Sequence, residues 1–393
     1  MKVLSLFSGI GAFEKALTNL GIPFDLIGYC EIDKYASMSY SAIHGVSESL
    51  NLGDITKIDE KQLPKDIDLI TYGFPCQDIS IAGSQKGLFN ADGTQTRSGL
   101  FFDALRIIKE TKPCVAIAEN VKNLTSKKFA LQFKIVLNSL QSAGYNNYFQ
   151  VLNAKNFSIP QNRERVFIVS IRKDIDNGSF TFPEGFELET RLKDIMEETV
   201  DERFFLRDDA INNINLNMGQ SGCGKPEVRQ LGNCFPTKTR DNPNQGRIYD
   251  KNGISPALNC MGGGNRQPFV IVEKVGNIYP SGGENGNVYL DTGLCPTLKA
   301  GTGVKGNGIG SCNAPKVLLS DSLRIRKLTP KECFRLMGFC NSDFDKAESV
   351  NSNTQLYKQA GNSIVVPVVQ HIIEKLLESG VLPNVNVHTK GGC

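Results

Sequence analysis

One cysteine stands where a reactive thiol could be presented. Cys76 lies in TYGFPCQDIS, residues 71–80, after an apolar run and before a loop rich in Gly, Ser and Gln. Such a residue can be a buried spacer, a metal ligand, half of a disulfide or a nucleophile. The chain holds 11 cysteines and 3 histidines but no Cys-x-x-Cys pair, whereas structural zinc sites typically use paired ligands. Metal and disulfide interpretations are therefore disfavoured, which leaves spacer or nucleophile.

Charged groups follow other predicted strands. Glu119 ends the apolar run CVAIAEN, and the pattern QNRERVFIV places Arg163 and Arg165 at alternate positions on one face of a strand. Taken one at a time, Cys76 fits a buried thiol, Glu119 fits a solvated acid, and the two arginines fit a surface pair. Converging at one sheet edge, they describe a reaction site.

The N-terminal stretch FSGIGAFE, residues 7–14, leads from a strand through two glycines into a helix, so a ligand can approach the backbone closely. Glu31 ends the next strand about twenty residues on, where a carboxylate can hold ribose hydroxyls. Asp54 follows a third short apolar stretch, and its carboxylate can accept a hydrogen bond from an exocyclic amine. Each feature alone fits an ordinary tight turn and solvent-facing acids equally well.

Short apolar runs alternate with amphipathic stretches over the first 175 residues, which predicts an α/β fold with a doubly wound, mostly parallel sheet. In such sheets, ligands bind at the carboxyl ends of the strands. The predicted strands are KVLSLFS, DLIGYCEI, DIDLITYGF, CVAIAEN and RVFIVSI, and the predicted helices are AFEKALTNLG, RSGLFFDALRIIKE and FALQFKIVLNSLQSAG.

The composition changes after residue 183. Residues 184–217 carry 10 acidic and 4 basic side chains, whereas 218–319 carry 11 basic and 6 acidic ones and 19 of the 38 glycines. An imperfect repeat relates 232–272 to 276–319, as in GRIYD and GNVYL. These features predict a second, smaller β-rich domain with a polyanion as partner.

The stretch KLTPKECFRLMGF predicts the start of a helix, with Thr329 as N-cap, Pro330 at the first helical position and Glu332 completing a capping box. A strongly apolar helix follows in QAGNSIVVPVVQHIIEKLLESG, and we expect it to pack on the first domain. The predicted organisation is 1–183 for a catalytic and cofactor-binding domain, 184–322 for the β-rich domain, and 323–393 for a segment that completes the first. No run approaches the roughly 20 apolar residues of a membrane helix, so we expect a cytoplasmic protein without a membrane partner.

Six blocks in this order resemble the cytosine-5 DNA methyltransferases of bacterial or phage type: FSGIGAFE, GFPCQDIS, AENV, QNRERVFIV, RKLTPKE and QAGNSIVVPV. The resemblance implies a Rossmann-like, S-adenosylmethionine-dependent fold, with 184–322 as the target-recognition domain. It also implies Cys76 as the covalent nucleophile at carbon 6 of cytosine, Glu119 as the hydrogen-bonding partner of the ring, Arg165 as the group that orients this pair, and Arg163 as a holder of the base or backbone.

The same resemblance implies S-adenosylmethionine as cofactor and a set of residues around it: Phe7, Gly9, Gly11, Glu31, Ile32, Asp54, Ile55, Pro75, Leu100 and Asn362. The partner is double-stranded DNA, from which the target base is flipped out. Candidate DNA contacts are Gln77, Ser80, Ser84, Gln85 and Arg97 in the loop after the cysteine, and Arg229, Lys238, Arg240, Arg247 and Arg266 in the recognition domain.

Two other functions compete at this point. An RNA cytosine methyltransferase would keep the thiol and the cofactor, and a non-enzymatic DNA-binding regulator would need neither. The long recognition region and the PCQ triplet favour a DNA enzyme. We expect a monomer, and any cognate restriction endonuclease would be a functional partner rather than a physical one.

Overall fold

The computed structural model describes residues 1–80, 84–205, 227–235, 246–258, 267–273, 288–290, 316–318 and 323–382. Its strands, in chain order, are β1 Lys2–Leu6, β2 Asp25–Cys30, β3 Leu69–Tyr72, β4 Val115–Val121, β5 Tyr145–Asn153, β6 Gln161–Asn162, β7 Glu164–Arg172, β8 Gln230–Asn233, β9 Arg247–Tyr249, β10 Ser255–Pro256, β11 Phe269–Glu273, β12 Val288–Leu290, β13 Lys316–Leu318 and β14 Leu323–Lys327. Its α-helices are α1 Ala12–Asn19, α2 Lys34–His44, α3 Phe101–Thr111, α4 Ala130–Ser142, α5 Pro330–Arg335, α6 Asn341–Glu348, α7 Asn353–Asn362 and α8 Val366–Glu378.

The main sheet has the order β2-β1-β3-β4-β7-β5. Strands β2, β1, β3 and β4 pair in parallel, and β7 lies antiparallel between β4 and β5. All five predicted strands are present, so the mostly parallel α/β sheet is confirmed. The prediction omitted β5, whose sequence YNNYFQVLN is largely polar because it is an edge strand.

Helices cover both faces of this sheet, and the three predicted in the first 175 residues are confirmed as α1, α3 and α4. One buried cluster joins α1 and α8 to one face, and a second joins α3 and α4 to the other. The capping box of α5 is also confirmed, since Thr329 and Glu332 bond reciprocally. Residues of α5, α6, α7 and α8 belong to the same buried cluster as α1, so the apolar last helix packs on this face of the main sheet.

A smaller sheet has the order β14-β11-β9-β8. Here β9 pairs in parallel with β11, and β12 pairs in parallel with β13, so corresponding segments of the two sequence repeats pair in the same sense. Strand β14 lies antiparallel to β11. The smaller sheet therefore includes residues after the predicted boundary at 323.

Among the described residues, no helix has both the length and the apolar character needed to cross a membrane.

Candidate active site

The turn that leads from β3 to Cys76 lies beside Glu119 on β4. Strand β3 pairs with β4 so that Tyr72 opposes Ala118. Gly73 therefore lies beside Glu119, and a Cβ added to Gly73 would be 3.8 Å from Oε2 of that carboxylate. The Asn120 amide donates to the Phe74 carbonyl oxygen at 3.0 Å, which ties the turn before Cys76 to β4. Cys76, which is half-buried, begins its loop three residues after Gly73.

Glu119 and Arg165 form an ion pair across two antiparallel strands. Glu119 opposes Phe167 in the register of β4 and β7, so Arg165 is its diagonal neighbour on the same face. Arg165 Nε lies 3.0 Å from Glu119 Oε1, and the two side chains are 20% and 12% exposed. This carboxylate and this guanidinium therefore lie together, as the sequence predicts.

Burial dominates the electrostatics of Glu119. Desolvation raises the pKa of Glu119 above its ordinary value, and the charges of Arg165 and Arg163 oppose this only in part. A carboxyl group that keeps its proton more readily can donate a hydrogen bond to a ring nitrogen as well as accept one from an amino group.

Arg163 is enclosed by the protein's own backbone. Its guanidinium donates to the carbonyl oxygens of Leu258 at 2.6 Å, Ser363 at 2.7 Å and Gly361 at 3.1 Å, and the residue is 3% exposed. This position differs from the expected direct hold on the base or DNA backbone. Arg163 instead connects the segment at Leu258 to the two residues that flank Asn362.

The glycine-rich turn after β1 has left-handed backbone at three positions. Phe7 has φ 54°, Gly9 φ 56° and Gly11 φ 80°. A Cβ on Gly11 would lie 2.1 Å from Nε2 of His44, whereas a Cβ on Gly9 would meet nothing within 4 Å. Gly11 is thus required by packing, and Gly9 borders open space where a ligand can approach.

Glu31 closes this turn from the end of β2. Its carboxylate accepts from the backbone N–H of Gly9 at 2.9 Å and of Asp33 at 2.7 Å. Burial raises the pKa of Glu31, while these two backbone donors oppose the rise. Asn51 links Glu31 to the next turn, because its Oδ1 accepts from the N–H groups of Glu31 and Gly53.

The remaining predicted cofactor residues differ in exposure. Ile32 is 77% exposed beside Glu31, which suits an apolar ligand face. Asp54 caps a short turn, and hydrogen bonds from Thr56 lower the pKa of its carboxyl group. The Ile55 side chain is buried in the core, unlike the expected ligand contact, because its turn packs against α3. Pro75 and Leu100 are half-buried, and Asn362 is exposed.

The predicted DNA contacts occupy the surface around this edge, where the structure describes them. Gln77, Ser84 and Arg97 are exposed. Ser84 donates its hydroxyl to Asp78 at 2.6 Å, and Gln85 accepts from Lys128 at 2.6 Å. Ser80 and Arg165 line a common cavity of about 560 Å³ that Ala257, directly after β10, also borders.

The structure describes only two of the five DNA contacts that were predicted within residues 184–322. Arg229 lies 3.7 Å from the Asp250 carboxylate, and Arg247 is half-buried at the start of β9. Lys238, Arg240 and Arg266 lie outside the described residues.

Sequence reasoning missed the amides and the acid that hold these turns. Asn120, Asn51 and Asp78 each bond backbone groups close to a predicted site residue. Asn123 donates to the Ile79 carbonyl oxygen at 2.6 Å and belongs to this group. Their placement directly after strands or beside Cys76 was the available signal.

A comparison with known families decides the assignment. Residues 1–378 match the family profile described as C-5 cytosine-specific DNA methylase. The chain belongs to this family. It is therefore a DNA cytosine methyltransferase, and the family description gives no support to the RNA enzyme or the non-enzymatic regulator.

Relatives of the methylase come from phages and bacteria. It is 34% identical to the orphan methyltransferase M.SPRI of Bacillus phage SPR, with 96% of this chain and 98% of that protein covered. It is 33% identical to the type II methyltransferase M.HhaI of Haemophilus parahaemolyticus, with 95% and 93% covered.

Solved structures agree on the fold. The Entamoeba histolytica methyltransferase EhMeth gives a TM-score of 0.61 at 17% identity, covering 96% of this chain and 98% of that one. The S. pombe Dnmt2 methyltransferase gives 0.54 at 20% identity, with the same coverage. These likenesses confirm the Rossmann-like methyltransferase fold.

Proposed function

We propose that the methylase modifies carbon 5 of a cytosine flipped out of a specific duplex DNA sequence, through a covalent adduct with Cys76. The observation that carries this proposal is the largely buried Glu119–Arg165 pair next to the turn that leads to the cysteine. Because Leu6 opposes Tyr72, this turn follows the strand next to the one that ends in the glycine-rich turn, which suits a nucleoside-like cofactor.

Cys76 has the role of activating an unreactive ring. Its thiolate adds to carbon 6, and the electron pair of the 5,6 double bond moves to carbon 5 as an enamine. After carbon 5 is methylated, it loses its proton, the double bond re-forms, and the carbon–sulfur bond breaks to release the thiolate. Covalent addition thus divides one difficult substitution into easier steps.

Glu119 has the role of stabilising the charge that this addition creates. Because burial raises the pKa of Glu119, its carboxyl group can hold a proton against ring nitrogen 3 and accept from the exocyclic amine. Arg165 fixes the orientation of that carboxyl group through the 3.0 Å contact. Arg163 supports the same site from behind by fastening Gly361 and Ser363.

The methyl donor implied by the family is S-adenosylmethionine, which supplies an electrophilic methyl group on a sulfonium. The residues present fit it, since Gly9 borders open space and Glu31 retains acceptor capacity at the ribose position. Ile32 offers an exposed apolar face, and Asp54 offers a carboxylate for an amino group. Phe7, Gly11, Pro75, Leu100 and Asn362 would complete the binding edge, with Ile55 behind it in the core.

Specificity is proposed to lie in residues 184–322. Base edges in the major groove are read by side chains such as arginine, while many other basic residues contact only phosphate. Arg229 and Arg247 are the described candidates, beside the other three from the sequence. The cavity between Ser80, Arg165 and Ala257 joins this region to the reaction site.

Expression in a host without cytosine methylation, followed by bisulfite sequencing of its genome, tests the proposal. Protected cytosines at one short motif are expected, and they would also identify the target. Cys76→Ser should leave no protected cytosine, and Cys114→Ser is the matched control because Cys114 is also a half-buried cysteine outside any disulfide. Full conversion by a soluble, unchanged chain would contradict the proposal.

A further inference from the structure

A carboxylate two residues after Cys76 joins the two ends of the loop that follows the cysteine. Ser84 donates its hydroxyl to Asp78 Oδ1 at 2.6 Å, and the backbone N–H of Ser98 donates to Asp78 Oδ2 at 3.3 Å. In the other direction, the N–H of Asp78 donates to the Ser98 hydroxyl at 3.3 Å. One side chain thereby connects points 6 and 20 residues further along the chain.

Backbone bonds make the same connection. The N–H of Gly87 donates to the Asp78 carbonyl oxygen at 2.7 Å. The N–H of Ser84 donates to the Gln77 carbonyl oxygen at 3.1 Å. We call this arrangement of Gln77, Asp78, Ser84, Gly87 and Ser98 the loop clasp. It closes the described parts of 77–98 into a loop with a narrow base.

The clasp is anchored in the body of the protein. Ser98 is fully buried at the turn that leads into α3. Ile79 is also fully buried, and the Asn123 amide donates to its carbonyl oxygen at 2.6 Å. Asp78 therefore lies between two buried points, Ile79 next to it and Ser98 at the far end of the loop, and both follow the cysteine in the chain.

The clasp reaches the reacting thiol through one turn of backbone. The Cys76 carbonyl oxygen accepts from the N–H of Ile79 at 3.0 Å and of Ser80 at 2.7 Å. We expect a shift of Asp78 to be passed on to Cys76 through this turn. Because a misplacement of about 1 Å can lower a rate about a hundredfold, even a small shift matters for the addition step.

We propose that Asp78 is a positioning residue for the methyl-transfer reaction, which acts by clasping the base of the loop and thereby fixing Cys76. This inference rests on the proposed function. It differs from the sequence-based role of Ser84 as a DNA contact, because the Ser84 hydroxyl is held by Asp78 within the protein.

Kinetics of Asp78→Ala test the inference. We expect kcat on duplex DNA to fall about tenfold to a hundredfold, while the dissociation constant for S-adenosylmethionine stays unchanged. Asp78→Asn should be intermediate, since its amide oxygen still accepts from Ser84 but its NH₂ group opposes the Ser98 N–H. The double variant Asp78→Ala with Ser84→Ala should be no slower than Asp78→Ala alone. Additive losses, or a wild-type kcat for Asp78→Ala, would overturn the proposal.

Asp92 provides the matched control. It lies in the same loop and accepts from the N–H of Thr94 at 3.0 Å and from its hydroxyl at 2.6 Å, away from the loop base. Asp92→Ala should keep the wild-type kcat. A loss equal to that of Asp78→Ala would show general sensitivity of the loop and contradict a special role for Asp78.

Limited trypsin digestion of the free protein gives a readout that does not depend on activity. Lys86 and Arg97 are exposed cleavage sites in this loop. Cleavage there should be faster in Asp78→Ala than in the unchanged protein or Asp92→Ala, with cleavage elsewhere unaltered. Equal cleavage rates would overturn the clasp. If the unchanged protein transfers no methyl group, the proposed function fails separately, whatever the digestion shows.

Discussion

Arg165 lies 3.0 Å from Glu119, as a diagonal neighbour on the adjacent antiparallel strand. The pair is largely enclosed, and rigid strands hold both partners. A reaction that builds charge on a ring beside this carboxyl group therefore meets partners that are already oriented, which is the condition for electrostatic catalysis.

Removal of the guanidinium should lower methyl transfer strongly. We expect Arg165→Ala to reduce kcat about a hundredfold to a thousandfold, because Glu119 loses the group that orients it. Arg165→Lys should recover little, since an ammonium lacks the planar fork of donors. Arg172→Ala, on the same strand but paired with Asp174 at the surface, should keep the rate. Steady-state assays with labelled methyl donor measure all three, and equal losses for Arg165→Ala and Arg172→Ala would contradict this account.

The pH dependence of stability should identify Glu119 as a buried acid. Since burial raises its pKa, the folded protein holds this proton more tightly than the unfolded chain does. Stability from this group is therefore complete below the ordinary carboxyl pKa and is lost as pH rises through the raised value. The Tm of Glu119→Gln minus that of the unchanged protein should increase from about pH 4 to about pH 8.

Asp343 supplies a control of opposite sign for that experiment. Burial acts to raise its pKa, but hydrogen bonds from Cys340 and Lys15 outweigh burial, and the pKa of Asp343 is lowered. Stability from Asp343 is thus present above the ordinary pKa and lost in acid. The Tm difference for Asp343→Asn should become less favourable as pH rises. The same trend in both variants would contradict the assignment.

Two neighbouring glycines should separate folding from cofactor binding. Gly9→Ala meets only the cost of a left-handed alanine, about 1–2 kcal/mol, but places a methyl group in the open space assigned to the cofactor. Gly11→Ala adds a steric conflict with His44. We expect Gly9→Ala to fold and lose affinity for S-adenosylmethionine, whereas Gly11→Ala loses more stability. Urea unfolding measures the stability of both variants, and titration calorimetry measures their affinity for S-adenosylmethionine. Unchanged affinity in Gly9→Ala would contradict a cofactor site beside Gly9.

A buried ion pair should stabilise the return of the chain to the first domain. Arg326 donates to Glu332 at 2.7 Å and 2.9 Å, and both residues are almost completely buried. Glu332→Ala leaves a buried guanidinium without its carboxylate and should cost about 3–5 kcal/mol in urea unfolding. Asp345→Ala breaks the surface pair with Lys331 and should cost at most about 1 kcal/mol. Equal costs would contradict the assigned role of burial.

The amino-acid sequence was sufficient to predict the strands and helices that have a strong apolar pattern. Runs such as DIDLITYGF and CVAIAEN are apolar because they are covered on both faces, and this made β3 and β4 predictable as buried strands. Strand β5 and helix α2 were missed because they are rich in Asn or Ser and lack a continuous apolar pattern. For α2, the N-cap Asp33 and the C-cap Gly45 were usable signals.

The site was predictable where a residue acts from a strand end. Glu119 and Arg165 meet because strand register brings them together. The environments of Arg163 and Asp78 depend on partners far along the chain or across a loop, such as Leu258 and Ser98. Spacing along the sequence carries no information on such contacts, so the fastening role of Arg163 and the loop clasp required coordinates.

The covalent route through Cys76 is the central claim, and DNA that carries 5-fluorocytosine at the target tests it most directly. Fluorine cannot leave carbon 5 as a proton does, so elimination should stall after methyl transfer. With S-adenosylmethionine present, we expect a denaturation-resistant protein–DNA adduct that maps to Cys76, is absent in Cys76→Ser and persists in Cys114→Ser. Failure to form any adduct on a sequence that the protein otherwise methylates would contradict the account.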